Sequence, residues 1–208
     1  FISWLDKIKS DAQAIFFLGD LFDFWFEYKT VVPKGFTRLF GKLAELSDSG
    51  IDLFFFVGNH DCWMKNYLED EIGFKVFKNS CEFKIDDNNL LIGHGDGLGP
   101  GDIKYKFLKL LFRSSILRKL FSFIHPDIGI SLGRFFSDNN KILSGNNSPF
   151  ESKEKEMLYT YCKNVLKTKH YDYFIFGHRH LPLELDLGNN SKYFLSLIHI
   201  SEPTRHRL

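Results

Sequence analysis

An α/β fold is predicted by three features of the sequence. Short apolar runs at residues 14–18, 51–57 and 171–176 each stop at a glycine followed by a polar residue. An amphipathic helical pattern separates the first two, which is the strand–helix–strand signature of a parallel sheet. The 208 residues suffice for one such domain, or one domain carrying an insertion.

The elements follow in order. Residues 1–10 put Ile2, Leu5 and Ile8 on one helical face. AIFFL, 14–18, reads as a buried strand ending at Gly19-Asp20. Phe36, Leu39, Phe40, Leu43, Ala44 and Leu46 give 36–48 an apolar helical stripe, which Gly50 terminates. Residues 51–57 form the next strand, ending at Gly58-Asn59. KVFKN and CEFKID alternate in polarity and NNLLIGHG follows a turn-like DDNN, so 74–92 is expected to hold antiparallel strands. Residues 153–169 form a helix with Leu158, Tyr161, Cys162, Val165 and Leu166 inward. YDYFIF, 171–176, is a strand ending at Gly177-His178, and ELDL and SKYFLSL close a hairpin across Gly188-Asn189-Asn190.

Residues 98–150 break this rhythm and predict one or two inserted helices. Between Leu98 and Arg134, Lys104, Lys106, Lys109, Arg113, Arg118, Lys119 and Arg134 face only Asp102 and Asp127, amid many Phe and Leu. Residues 139–149 read as a polar connector.

Composition narrows the function classes. With 27 basic and 26 acidic residues the net charge is +1, which argues against binding nucleic acid through overall charge. Phe occurs 24 times, so either the core is unusually aromatic or some rings face a lipid or ligand. Cys62, Cys81 and Cys162 have neither paired nor zinc-like spacing, which favours a reducing compartment. No apolar run has the length of a transmembrane helix, and the first residues lack a signal-peptide layout.

Four strand ends carry the chemistry: Gly19-Asp20, Gly58-Asn59, Gly93-His94 and Gly177-His178. In an α/β sheet the C-terminal edge is where sites are built, and glycine lets the backbone turn sharply beside a bound group. One such junction is an ordinary turn or helix cap. Four bearing Asp, Asn, His and His point to one site, to which His180, two residues beyond His178, adds an imidazole. This mixed N/O set suits Mn²⁺, Fe or Zn²⁺. An Asp between two such ions can bridge them, and a two-metal centre can attack a phosphoryl group.

The run GD, GNHD, GHGD and GHRH resembles the calcineurin-like metallophosphoesterases. The resemblance implies an α–β–β–α sandwich of two mixed sheets with two divalent metal ions, manganese foremost. It implies Asp20 as the bridging ligand, Asn59, His94 and His178 on one ion, and His180 on the other. It gives His60 to the phosphate, as acid or donor, with Asp61 orienting it. HGDGLGPGD, the aromatic and basic insertion, HPDIG and GDLFDFWFE are similar to the UDP-2,3-diacylglucosamine hydrolase branch, many members of which carry Arg at the position of His60. That branch implies cleavage of a nucleotide-linked diacyl sugar to UMP and 2,3-diacylglucosamine 1-phosphate, and a cytoplasmic enzyme resting on the inner membrane.

The insertion fits such a substrate: each buried acyl CH₂ contributes roughly 0.8 kcal/mol, and each cation near an anionic leaflet about 1 kcal/mol. Lys106, Lys109 and Arg113 are expected to touch the diphosphate or sugar. Asp96 and Asp102 are expected to bind a sugar hydroxyl or orient His94. Another phosphoester substrate and a non-catalytic metal-binding membrane-surface protein are the rival readings. The pattern also begins with an Asp-x-His and a first strand that do not precede Asp20 here, so the 208 residues are expected to be an N-terminally incomplete domain with impaired activity. The tail IHISEPTRHRL departs from the pattern, and His199 and His206 are given no role.

Overall fold

The computed structural model describes residues 1–100, 103–143, 150–179 and 181–196. Asp102, His180, residues 144–149 of the expected connector and the tail from 197 lie outside the described residues.

Helix α1 (Ile2–Ile8) precedes strand β1 (Ala14–Phe17), helix α2 (Thr37–Asp48) and strand β2 (Asp52–Phe56). A π-helical turn at Leu68–Ile72 leads into β3 (Phe74–Phe77). Strands β4 (Cys81–Ile85) and β5 (Asn88–Gly93) follow, then helices α3 (Ile103–Phe112), α4 (Ser115–Phe121) and α5 (Pro126–Leu143). Helix α6 (Met157–Val165), β6 (Tyr173–Phe176), β7 (Leu183–Gly188) and β8 (Ser191–Leu195) complete the order. The described strands form two sheets, β1-β2-β3 and β4-β5-β6-β8-β7.

Two-residue alternation along β2 decides the layering. Leu53 and Phe55 join a core with α1 and α2 through Leu5, Leu43 and Leu46. Phe54 and Phe56 face the other way and meet Phe83, Leu90 and Ile92 of the second sheet. Phe16 stacks on Phe54 with centroids 4.6 Å apart, and Phe83 meets Phe16 edge-on at 5.1 Å. On the second sheet's far side, Phe174, Phe176 and Tyr193 pack on Leu158 and Cys162 of α6. The result is the expected α–β–β–α sandwich, with Phe16, Phe54, Phe56, Phe77 and Phe83 packed between the sheets.

Three expectations are corrected. β4 and β5 are antiparallel, but β3 pairs parallel with β2 in the first sheet. Its short alternating pattern fixes which faces are buried, not the direction of its neighbour. The 98–150 segment holds three helices, not one or two. Ser114 adopts extended backbone at the α3–α4 junction, and Pro126 opens α5, where its missing N–H costs nothing. Residues 139–143, expected in a connector, continue α5.

Candidate metal centre

Each sheet contributes one adjacent parallel pair whose C-terminal ends face the site. β1 and β2 deliver Asp20 and Asn59 from the first sheet; β5 and β6 deliver His94 and His178 from the second. One ligand atom from each of Asp20, His94 and His178 lies within 4.8 Å of the others. Asn59 Oδ1 sits between the imidazoles, 3.2 Å from His94 Nε2 and 3.1 Å from His178 Nδ1.

Backbone strain accompanies this convergence. Asp20 and His178 are non-glycine residues with φ of 54° and 70°, conformations that persist only where the surroundings enforce them. Gly19, at φ 84°, is required twice over: a Cβ there would lie 2.6 Å from both His94 Nδ1 and the Phe56 carbonyl. A Cβ on Gly58 would collide with the Asp20 carboxylate. The turn carrying His178 is braced by Arg179, whose Nε lies 3.4 Å from the buried Glu156 carboxylate.

The donors fit a divalent ion. Asp20 Oδ1 accepts the His60 N–H at 2.9 Å, while Oδ2 is buried without a hydrogen-bond partner, 3.2 Å from His94 Nε2. His94 Nδ1 lies 2.5 Å from the Leu18 carbonyl. A carbonyl only accepts, so Nδ1 carries the proton and Nε2 is the ligating nitrogen. Burial opposes charge on Asp20, but His94, His60 and His178 outweigh it and hold the carboxyl far below its usual range. Burial likewise opposes charge on His94, yet the Asp20 carboxylate raises it to about 9.

His60 and Asp61 are where sequence adjacency misled. Asp61 is fully buried and accepts the Gly58 N–H at 2.6 Å and the Leu21 N–H at 3.2 Å. It clamps the β1 turn to the β2 turn, and the expectation that it orients the His60 ring is corrected. Burial, then the Asp20 charge, raises its carboxyl to about 8. The His60 ring is instead held at Nδ1 by the Asp23 carbonyl at 3.0 Å and by Ser137 Oγ of α5 at 2.6 Å. Cys62, next in the chain, is pushed up to about 12, chiefly by burial, and is no nucleophile at neutral pH.

The expected substrate-binding cations are turned toward the protein, a further correction. Lys106 Nζ donates to the Gly99 carbonyl at 2.6 Å, and Arg113 donates to the Lys78 carbonyl at 3.1 Å. Lys109 Nζ bonds both the Asp96 carboxylate and the Asp96 carbonyl, each at 2.7 Å. The Asp96 carboxylate, buried and also accepting the Tyr105 hydroxyl at 3.0 Å, is therefore bonded to α3. Near neighbours, His94 and Lys109, hold its carboxyl low against the opposing effect of burial. Together these bonds seat α3 on the segments after β3 and β5. Lys109 and Arg113 still line a cavity of about 60 Å³ beside Asn59 and Cys62.

The sequence reading missed the Leu18 and Asp23 carbonyls, Tyr105 and Ser137. Of these only Ser137 had a signal: Gly129, Gly133 and Ser137 recur every fourth residue along α5, marking a face that lies close to a neighbour.

Comparison with known proteins agrees with this geometry. The sequence profile of the calcineurin-like phosphoesterase family matches residues 1–182. A UDP-2,3-diacylglucosamine hydrolase of Porphyromonas gingivalis is 35% identical over 206 residues, covering 93% of this chain and 79% of its own. Proteins of the same name from Proteus mirabilis and Yersinia pseudotuberculosis are 25% and 23% identical, covering 88% and 96% of this chain and 74% and 83% of theirs.

Proposed function

The chain belongs to the calcineurin-like phosphoesterase family, and we propose that it hydrolyses the pyrophosphate of UDP-2,3-diacylglucosamine. Water adds at the α-phosphorus, the bridging P–O bond breaks, and UMP and 2,3-diacylglucosamine 1-phosphate leave. Asp20, Asn59, His94, His178 and His180 would hold two divalent ions, manganese in our reading, with iron or zinc as the alternatives. Such ions supply a Lewis acid and a water that ionises near neutral pH. His60 stands beside the phosphate as donor or acid, and Asp61 keeps the two metal-bearing turns together.

One observation carries the choice of a lipid substrate. Helix α3 is inverted: Lys106 and Lys109 bond inward while its apolar residues face solvent, with Phe107 69% and Leu110 71% exposed. Ile116, Leu120, Phe123, Ile128, Phe135 and Phe136 extend this surface over α4 and α5. An ordinary surface helix presents the opposite faces, and a large exposed apolar patch marks a binding surface. Residues 98–150 are read as a cap-like insertion in a single domain over 1–208, taking acyl chains and resting on the cytoplasmic leaflet of the inner membrane. No described helix is long and apolar enough to cross a membrane.

The test supplies Mn²⁺ and compares UDP-2,3-diacylglucosamine with a water-soluble phosphodiester in ¹⁸O-water. The label is expected in UMP, with the lipid strongly preferred. Label in the sugar phosphate, or equal turnover of both compounds, would overturn the reading. Metal content after dialysis is expected to be reduced in Asp20→Asn.

A further inference from the structure

Helix α5 reaches into the site from the insertion. Gly129 and Gly133 let it lie against the segment after β1: a Cβ on Gly129 would collide with the Tyr28 hydroxyl, and one on Gly133 with the Phe24 ring. One turn further along the same face, Ser137 is 6% exposed. Its Oγ donates to the Asp23 carbonyl at 2.6 Å and lies 2.6 Å from His60 Nδ1. Nδ1 is also 3.0 Å from that carbonyl.

These three distances fix the protons. The carbonyl can only accept, and it has two lone pairs. Ser137 O–H fills one, and Nδ1–H is directed at the other and at the serine oxygen. Were Nδ1 bare, the one serine proton would have to serve both the carbonyl and Nδ1, leaving a lone pair facing a lone pair.

We propose that Ser137 is a positioning residue for His60: with the Asp23 carbonyl it engages Nδ1–H, so that Nε2 is the nitrogen presented to the phosphoryl group, where a second proton, on Nε2, makes the ring a donor. The insertion thereby does more than cover the site. Seating α5 sets the ring, so a catalytic-loop residue is oriented by the element that carries the apolar surface. The kinetic consequence rests on the proposed function; the state of the ring does not.

Two measurements test this on the metal-loaded protein. The first is ¹⁵N NMR of the histidine rings at one fixed pH, with His60→Ala giving the assignment. His60 is expected to carry a proton on Nδ1, which Ser137→Ala and Ser137→Cys deplete and Ser137→Thr retains. The second is a double-mutant cycle with UDP-2,3-diacylglucosamine. Ser137→Ala is expected to lower kcat about tenfold with KM within about twofold, Ser137→Thr to restore most of it, and Ser137→Ala to have no further effect in His60→Ala. Thermal melts of each variant exclude misfolding as the cause, and Ser137→Cys, close to serine in shape, serves if Ser137→Ala does not fold. A ring without a proton on Nδ1 in the parent protein overturns the proposal. So does a Ser137→Ala loss that persists in His60→Ala or falls on KM alone. If the lipid is not hydrolysed at all, the proposed function fails while the tautomer result still decides the role of Ser137.

Discussion

Asp61→Asn tests the clamp between the two metal-bearing turns. The buried carboxyl accepts two N–H groups, from Gly58 and Leu21. Asparagine offers one acceptor oxygen, so one N–H is left facing an NH₂ group. An unsatisfied buried donor costs about 1–2 kcal/mol, which for a chain of this size is a fall in Tm of about 2–8 °C. The pH dependence has a definite sign. In the metal-free protein burial, then the Asp20 charge, raises Asp61 from 3.8 to about 8. An acid raised on folding contributes stability that is complete below its unfolded value and is lost as pH rises through its folded value, at up to about 1.4 kcal/mol per pH unit. Asparagine does not titrate, and groups common to both proteins largely cancel in the difference. In EDTA the parent's advantage is therefore expected to be greatest at pH 4, closed near pH 5.5 and inverted by pH 8. Thermal melts at those three values check it. A gap that stays constant or widens with pH would refute the argument. Unchanged melting with lost turnover would return Asp61 to steering His60.

Three further outcomes follow from the same contacts. Gly19→Ala places a Cβ 2.6 Å from His94 Nδ1 and the Phe56 carbonyl at a φ of 84°; a loss of at least about 3 kcal/mol is expected in urea unfolding. Lys109→Ala leaves the buried Asp96 with only the Tyr105 hydroxyl among these side-chain partners. Because the ammonium is itself partly exposed, the cost is set toward the low side of a broken buried pair, about 2–3 kcal/mol in a thermal melt, whereas a pure substrate contact would raise KM and leave the melt alone. Serine at both Phe107 and Leu110 removes exposed apolar surface that the fold does not bury; the melting temperature should hold within about 2 °C while sedimentation with anionic vesicles and kcat/KM for the diacyl substrate both fall.

Much of the site could be read from the sequence because it is built at strand ends. A strand announces itself by an apolar run, its end by a glycine, and the residue after the glycine is at the sheet edge wherever the strand sits. Asp20, Asn59, His94 and His178 were visible for that reason, before any pairing was known. The partner of β3 was not, since its four residues bury the same faces beside a parallel or an antiparallel neighbour. The hydrogen bonds that aim the rings were hidden more deeply. Ser137 meets the Asp23 carbonyl across 114 residues, and a backbone carbonyl has no signature in the identity of its residue. Asp61 was misread because it follows His60; its oxygens turn instead to Gly58 and Leu21.

The insertion shows why charge composition alone misassigned its cations. A lysine or arginine among apolar residues reads as a charge offered to a ligand. Lys106, Lys109 and Arg113 recur at helical spacing and share one face of α3, and that face meets backbone carbonyls and the Asp96 carboxylate. Carbonyls at loop ends need donors as much as a phosphate does, and they are nearer. Once the cations are engaged this way, the helix is anchored by its polar side and Phe107 and Leu110 must point outward. The cations therefore serve the lipid reading indirectly, by fixing the orientation that exposes the apolar face. Ser137 extends the same logic to the chemistry, since the polar contact that seats α5 also sets the His60 ring.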